Sequence, residues 1–454
     1  MKSVRFVPVD RATAYLLPPW LDEWLPEDHL ARFVVDVVDQ LDLHELASQY
    51  SGRGSAAYHP GMLIALLFYG YATGVFSSRR LEQATYDSLA MRYIAANTHP
   101  DHDTIATFRR RFLPKLQGLF LQILVLASEM DLVKLGTVSL DGTKVKANAS
   151  KHSALSWDHA CKLEQQLQQE VEALLVQAEK CDQAEEHVDI PEELTRRETR
   201  LATIAKAKAR IEARANERYA REQAEYDRKM QSRETKQRVT GKKPGGRSPK
   251  PPEAGPQPQD QVNLTDSESR IMPTSGGGFE QCYNAQASVD MDSLLIVGQH
   301  VTQAPNDKRE LEPALAELDK IPEELGRIET MAADNGYYSE TNLKAAEDRD
   351  IVPLIAMGRE RHNVPLDQRQ RPADLPAEPE SIVERLAHRL QSEKGKALYA
   401  RRKCTVEPVF GVIKAVMGFR QFLLRGKDKV SGEWTLVSIA WNLKRMAKLQ
   451  AMRA

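Results

Sequence analysis

The sequence predicts an α/β protein built on a mixed β-sheet, with an all-α segment before the sheet and a helical hairpin inserted into it. Three observations support this fold class. Residues 1–133 carry apolar side chains at helical spacing, residues 150–235 form a long charged segment with apolar stripes, and residues 262–425 alternate strand-like with helical runs. A chain of 454 residues is long enough for two or three folding units.

The composition is that of an ordinary globular protein and gives no overall bias toward nucleic acid. Hydrophobic residues make up 41% of the chain and charged residues 28%, with a net charge of −1, so any attraction for a polyanion must be local. The four cysteines are far apart, which argues against a zinc site and a disulfide framework. The longest apolar stretch, residues 62–72, is too short to span a bilayer. We therefore expect a cytoplasmic protein with no membrane partner.

Residues 103–112 predict a short helix capped by Asp103 or Thr104. Its apolar face consists of Ile105, Phe108 and Phe112. Its opposite face carries Thr107, Arg110 and Arg111. A packed back with a basic, hydroxyl-bearing front is how a DNA recognition helix is built. An amphipathic helix with solvated arginines explains the same pattern equally well.

The segment 150–235 predicts an antiparallel helical hairpin, because two apolar stripes run along it at nearly heptad spacing. A plain two-helix stalk is the simplest interpretation, with a dimer contact or a DNA clamp as alternatives. Residues 236–261 are rich in Pro, Gly and Gln and basic over most of their length, which predicts a flexible basic linker. Such a linker is either solvated or lies along DNA phosphates.

Three carboxylates stand in positions that favour metal chemistry. Asp141 and Asp334 each end an apolar strand-like run, in V-S-L-D-G-T-K and M-A-A-D-N-G-Y-Y-S, and Glu407 lies in a helix-like segment crowded with Lys and Arg. Oxygen donors brought together at one sheet edge bind hard divalent cations such as Mg²⁺. Basic residues around such a site indicate a phosphate-bearing substrate.

The order of predicted elements also indicates how the carboxylates meet. Without residues 150–262 the chain reads strand, strand, strand, helix, strand, helix, strand, helix. This is the order of the ribonuclease H-like fold, in which the first and fourth strands lie side by side. These strands would carry Asp141 and Asp334, and the final helix would bring Glu407 to them.

Several motifs in this order resemble the DDE transposases of bacterial insertion sequences. The matching stretches are L-D-G-T-K-V-K-A-N-A-S (140–150), G-F-E-Q-C-Y-N-A-Q (278–286), A-D-N-G-Y-Y-S (333–339), R-R-K-C-T-V-E-P-V-F-G-V-I-K (401–414), F-R-Q-F-L-L-R-G (419–426) and W-N-L-K-R (441–445). The resemblance implies that Asp141, Asp334 and Glu407 are catalytic and bind Mg²⁺ or Mn²⁺, as two ions. It further implies cleavage at terminal inverted repeats, joining to target DNA, and a homodimer on DNA in the bacterial nucleoid.

The resemblance also divides the chain. It implies a helix-turn-helix-like DNA-binding domain at 1–133 and a ribonuclease H-like catalytic domain at 134–149 and 262–425. The hairpin at 150–235, the linker at 236–261 and a C-terminal helix at 426–454 complete the division.

Further side chains are expected to support the site. Phosphate contacts are expected from Lys144, Lys146, Arg402, Lys403 and Lys414. The family's last motif has a Tyr, a basic residue, a Glu and a Lys on one helix face. Lys403, Glu407 and Lys414 match it, whereas Tyr399 lies one residue further upstream than the usual spacing. Pro408 is compatible with that motif if a helix begins near Thr405. Asn335 and Tyr337 are expected near the DNA, with a packed core tyrosine as the alternative for Tyr337.

Two other functions stay open from the sequence. A ribonuclease H-like nuclease or resolvase would hydrolyse DNA without joining it. A catalytically inactive DNA-binding regulator would have the same fold but no catalytic activity.

Overall fold

The first described part of the structure is a series of helices, as the apolar spacing predicts. The computed structural model describes residues 20–50, 57–181, 190–242, 245–274, 276–358 and 379–453. Seven α-helices precede the first strand in the described part: α1 (Leu30–Asp39), α2 (His44–Ala47), α3 (Pro60–Thr73), α4 (Ser78–Asp87), α5 (Leu89–Ile94), α6 (His102–Phe112) and α7 (Leu116–Glu129).

Helix α6 has the two faces that the sequence predicts but starts one residue earlier. Its cap is Asp101 rather than Asp103 or Thr104, because the Asp101 carboxylate accepts hydrogen bonds from the Thr104 amide (2.8 Å) and hydroxyl (2.7 Å). Ile105, Phe108 and Phe112 are buried on the inner face. The helix is therefore fixed by its apolar side, and Thr107, Arg110 and Arg111 lie on the opposite side, at the surface.

The central sheet is mixed, and its middle strand carries Asp141. Its strands are β1 (Thr137–Lys146), β4 (Arg270–Pro273), β5 (Phe279–Asp290), β6 (Ile296–Thr302), β7 (Thr330–Ala333) and β8 (Val352–Ile355). Strand β1 pairs antiparallel with β5 and parallel with β7, and β7 pairs parallel with β8. Strands β4 and β6 both pair with β5. The expected combination of antiparallel hairpin and parallel crossovers is confirmed.

The described residues of the insertion after β1 form two long helices and a small sheet. Helix α8 (Trp157–Cys181) packs against α9 (Ile190–Thr240), and strands β2 (Ala154–Ser156) and β3 (Gln261–Asn263) pair at their base. Helix α9 continues to Thr240, beyond the predicted hairpin end at residue 235. The end of the predicted linker is also structured, since Asp260 accepts a hydrogen bond of 2.7 Å from Arg218 of α9.

The remaining helices of the described part pack around the sheet. They are α10 (Leu311–Leu318), α11 (Glu340–Glu347), α12 (Ile382–Gln391), α13 (Glu393–Arg401), α14 (Val406–Ala415) and α15 (Lys427–Ala451). The central helix is α15, whose middle turns are buried against α3 and α7 on one side and β6 on the other. The apolar residues of the N-terminal helices and of the sheet therefore belong to one continuous core.

A buried carboxylate on α15 ties three parts of this core together. Glu433 is 0% exposed, and it accepts hydrogen bonds of 3.0 Å from the backbone amides of Leu423 and Leu424 and from the Tyr71 hydroxyl of α3. Arg109 of α6 donates to the same hydroxyl at 3.2 Å. Burial raises the pKa of Glu433 above its ordinary value. The bonds compensate for the desolvation of this group.

Two helical stretches have the composition of membrane spans. The continuous stretch His102–Glu129 passes the length and hydropathy criteria, and α3 with α4 passes them together but bends by 94° between them. Helix α3 is largely buried against other helices of the same chain. A core helix has the same composition, so these stretches carry no argument for a membrane location.

Replacing Glu433 tests its role in joining α3, α15 and the loop that precedes α15. Glu433→Ala should lower the free energy of unfolding by about 3 kcal/mol, because two buried amides and a hydroxyl lose their acceptor. Urea unfolding followed by circular dichroism measures the change. Glu433→Gln keeps one acceptor oxygen and should lose less. An alanine variant with the stability of the parent protein would contradict this role.

Candidate active site

The two aspartates lie next to each other because of the pairing of β1 with β7. Leu140 and Ala333 are the last residue pair in this parallel register, and Asp141 and Asp334 directly follow them. The Asp141 carboxylate accepts the amide of Gly142 at 2.8 Å. The Asp334 carboxylate accepts the amide of Gly336 at 2.7 Å and caps the short helix that follows β7. Sequence position and sheet register thus bring both carboxylates to one edge.

Glu407 is presented by the first turn of α14. This helix begins at Val406, so Pro408 lies within the first turn, as expected, where its missing amide costs nothing. The expected single helix face is not formed. Helix α13 ends at Arg401, a short 3₁₀ turn spans Arg402–Cys404, and the backbone breaks at Thr405 (φ −110°, ψ −82°). Tyr399, Lys403 and Glu407 therefore lie on three different elements.

The guanidinium of Arg402 lies between two of the three carboxylates. Its Nη1 is 3.4 Å from Asp141 Oδ2, and its Nη2 is 3.5 Å from Glu407 Oε1. The Arg402 side chain is only 9% exposed, and its Nε has no hydrogen-bond partner among the described residues. The Tyr399 ring lies 5.9 Å from its guanidinium carbon. In this state Arg402 neutralises carboxylates, whereas the sequence predicted a phosphate contact.

Asp141 titrates in an unusual range. Burial is the main cause that raises its pKa to about 6, and the nearby charges of Asp334 and Asp307 raise it as well. The Gly142 amide and the Arg402 guanidinium act in the opposite direction. The carboxylate thus gives up its proton only near neutral pH unless a cation compensates its charge.

The predicted phosphate-binding lysines divide into two groups. Lys146 and Lys403 are exposed, with Lys146 3.2 Å from Glu280. Lys414 is partly buried and donates to the Thr143 hydroxyl (2.5 Å) and the Lys144 carbonyl (2.9 Å). Burial lowers the pKa of Lys144 and of Lys414. Lys414 therefore fastens α14 to β1, while Lys146 and Lys403 remain available to a ligand.

A polar network beside Asp141 contains a carboxylate that the sequence interpretation missed. Asp307 accepts hydrogen bonds of 2.7 Å from the side-chain amides of Asn284 and Gln286 on β5. The hydroxyl of Tyr337 donates to the side-chain carbonyl oxygen of Gln286, and Tyr337 is fully buried. Tyr337 is therefore a packed core tyrosine, the second of the two roles that the sequence allowed. A side chain at Gly142 would overlap Asp307 and Gln286.

This network connects the loop after Asp334 to β5, the antiparallel neighbour of the strand that carries Asp141. The signal for it was present in the sequence, since Asp307 closely follows a strand and both amides fall within the 278–286 motif. Asn335, beside Asp334, is exposed at the same edge.

The predicted recognition face of α6 is only partly free. Thr107 and Arg110 are exposed. Arg111 is also at the surface, but it donates to the side chain (3.0 Å) and carbonyl (2.6 Å) of Gln49 and lies over the Tyr50 ring. Arg111 therefore contributes to the packing of the helical segment, and Arg110 is the better candidate for a DNA contact.

The carboxylates of Asp141, Asp334 and Glu407 are chemically suited to bind a hard divalent cation. Two aspartates and a glutamate offer the oxygen ligands that Mg²⁺ and Mn²⁺ prefer. Among the described residues, however, no three His, Cys, Asp or Glu side chains are arranged to hold a metal ion. The negative charge of Asp334 raises the pKa of Asp141, whereas Glu407 is linked to Asp141 through the guanidinium of Arg402. The guanidinium thus occupies the place between Asp141 and Glu407.

Acidic side chains at adjacent strand ends, with cations around them, indicate an enzyme that acts on phosphodiesters. Two family models match: a transposase domain (DUF772) over residues 19–111 and a transposase DDE domain over residues 252–443. The chain belongs to the DDE transposases of insertion sequences and is a DNA transposase. The second match includes Asp334 and Glu407, whereas Asp141 lies between the two matched segments. No curated protein and no solved structure gives a significant match.

The raised pKa of Asp141 predicts that protons compete with divalent cations. The protonated carboxyl is a poor ligand, so Mn²⁺ affinity should increase as the pH rises through about 6 and level off above it. Isothermal titration with Mn²⁺ between pH 5 and 8 measures this dependence. Asp141→Asn is the control and should bind weakly at every pH. An affinity that does not change across this range would contradict the assignment of Asp141 as a ligand.

Proposed function

We propose that this transposase binds the terminal inverted repeats of an insertion sequence and catalyses Mg²⁺-dependent cleavage and strand transfer, with Asp141, Asp334 and Glu407 as catalytic residues. The observation that carries the proposal is the parallel register of β1 and β7, which sets Asp141 beside Asp334. The contacts of Arg402 with both Asp141 and Glu407 support Glu407 as the third catalytic residue. The DDE family match supports the chemistry.

We also propose that the sheet is a ribonuclease H-like fold. Its order is β6, β5, β1, β7, β8, with β5 antiparallel to its neighbours and the last three strands parallel. Strand β4 adds to β5 beside β6. The hairpin between β1 and β5 is then an insertion into this domain.

The mechanism assigns a role to each charged group. Divalent cations held by Asp141, Asp334 and Glu407 would activate the attacking oxygen and stabilise charge on the phosphate and the leaving oxygen. Asp141 must be deprotonated to serve as a ligand, and Lys414 holds the strand that carries it. Lys146 and Lys403, both exposed, are placed to contact the DNA backbone. The exposed Asn335 lies at the same edge as Asp334.

We assign recognition of the terminal repeats to the N-terminal helices, with Thr107 and Arg110 of α6 facing the DNA. The transposase domain match covers this region, and both side chains are exposed. We further propose a homodimer that forms on DNA, because two element ends have to be joined to one target. The DNA substrate places the protein in the bacterial cytoplasm, at the nucleoid.

The catalytic assignment predicts the loss of joining without the loss of DNA binding. Supplied with pre-nicked element ends, a target plasmid and Mg²⁺, the protein should produce joined DNA. Asp141→Asn, Asp334→Asn and Glu407→Gln should each lower the rate by about a hundredfold or more, because removing a metal ligand removes stabilisation of the transition state. Electrophoresis of the products measures the rate.

Each outcome of that assay separates the candidate functions. Cleaved but unjoined DNA would favour a nuclease or resolvase, and neither product would favour a regulator. Joining at the parent rate by all three variants would remove these residues from the active site. Lys134→Ala, an exposed change on the segment before β1, serves as the control.

Arg110 provides a separate test of recognition. Arg110→Ala should weaken binding to a terminal-repeat duplex by about 1–3 kcal/mol, as expected for the loss of one arginine contact. Its Mn²⁺ affinity should stay at the parent value. Fluorescence anisotropy with repeat and scrambled duplexes measures both the loss and its sequence dependence. Equal binding of the repeat by variant and parent would exclude Arg110 from the contact.

A further inference from the structure

Helix α9 extends well past the part of it that packs. Its last buried residues are Ile211 and Ala215, and no described residue of α9 beyond Ala215 is buried. The remaining 25 residues span about 37 Å at the rise of an α-helix. Pairs such as Glu225 with Lys229 (2.8 Å) stabilise this stretch locally. Beyond Ala215 the helix contacts the rest of the chain through polar side chains, such as Arg218 with Asp260 and Glu225 with Arg309, and most of its described side chains stay exposed.

The end of α9 is strongly basic. We define the basic arm as residues 228–242, the last turns of α9 and the two residues after it. The arm contains six basic side chains and one acidic side chain, a net charge of +5 in a chain whose net charge is −1. Arg233 is partly buried, and the other five are exposed: Arg228, Lys229, Lys236, Arg238 and Lys242. The arm is therefore a concentrated positive surface.

The arm starts next to the loop that borders the candidate active site. Glu225, one turn before the arm, is 3.2 Å from Arg309. Arg309 lies two residues after Asp307, which accepts the Asn284 and Gln286 amides beside Asp141. An exposed ion pair contributes little to the free energy of folding. The pair of Glu225 with Arg309 nevertheless shows that this turn of α9 lies beside the loop that contains Asp307. Beyond Glu225 most of the described side chains of α9 are exposed.

We propose that the basic arm binds the phosphate backbone of the DNA that flanks the scissile phosphodiester at Asp141 and Asp334. This inference rests on the proposed function. Duplex DNA carries one negative charge per about 1.7 Å, so an arm of about 20 Å faces roughly six base pairs of strongly anionic surface. Met230 and Val239 are the only large apolar residues of the arm, so the arm lacks an apolar face for a protein partner. Its positive charge favours DNA.

The test neutralises four arm charges: Arg228→Gln, Lys229→Gln, Lys236→Gln and Arg238→Gln. The matched control neutralises four exposed charges on the packed half of the same helix: Arg196→Gln, Arg200→Gln, Lys206→Gln and Arg210→Gln. Both variants lose the same net charge, and circular dichroism checks that both keep their helix content. Affinity for a terminal-repeat duplex is measured by anisotropy from 0.05 to 0.3 M salt without divalent metal.

At 0.15 M salt the arm variant should bind the duplex at least about tenfold more weakly than the parent protein. The slope of log affinity against log salt concentration should be smaller in magnitude by about three to four, because each lost phosphate contact removes about 0.9. The control should keep the parent slope. An unchanged slope in the arm variant, or equal losses in both variants, would overturn the proposal. Joining of pre-nicked ends by the parent protein is measured in parallel, so failure of the proposed function is seen separately from failure of the arm.

Discussion

The site depends on one strand that is hydrogen-bonded on both sides. Strand β1 lies between β5, with which it runs antiparallel, and β7, with which it runs parallel. A shift of one residue would turn every side chain of β1 to the opposite face of the sheet, so two fixed neighbours hold Asp141 in place more firmly than one would. The parallel pairing determines its distance from Asp334. The antiparallel pairing sets Asn284 and Gln286 beside Gly142, where they hold Asp307.

The charges at this edge are balanced by side chains in the structure described. Burial and the nearby charges of Asp334 and Asp307 raise the cost of ionising Asp141, and Arg402 compensates part of that cost from its position between Asp141 and Glu407. A bound divalent cation would take over that compensation. A bound cation and the Arg402 guanidinium would both compensate the negative charge of Asp141 and Glu407. Metal binding should therefore change the position of the guanidinium.

Much of this arrangement follows from local sequence. An apolar run that ends on a carboxylate identifies Asp141 and Asp334, and a proline in a first turn locates the start of α14 near Thr405. The missed features depend on tertiary contacts. The burial of Arg402 arises from the break between α13 and α14, and the role of Asp307 arises from side chains on β5. Helix α9 continues past residue 235 because Lys236, Gln237 and Arg238 are good helix formers, and it ends just before Gly241.

The most direct test of the account is a crystal structure with Mn²⁺, in which anomalous scattering locates the metal independently of the refined side chains. The account predicts a peak about 2.0–2.2 Å from carboxylate oxygens of both Asp141 and Asp334, with the Arg402 guanidinium withdrawn from Asp141 and Glu407 turned toward the metal. Anomalous peaks elsewhere, with Arg402 still between Asp141 and Glu407, would contradict it.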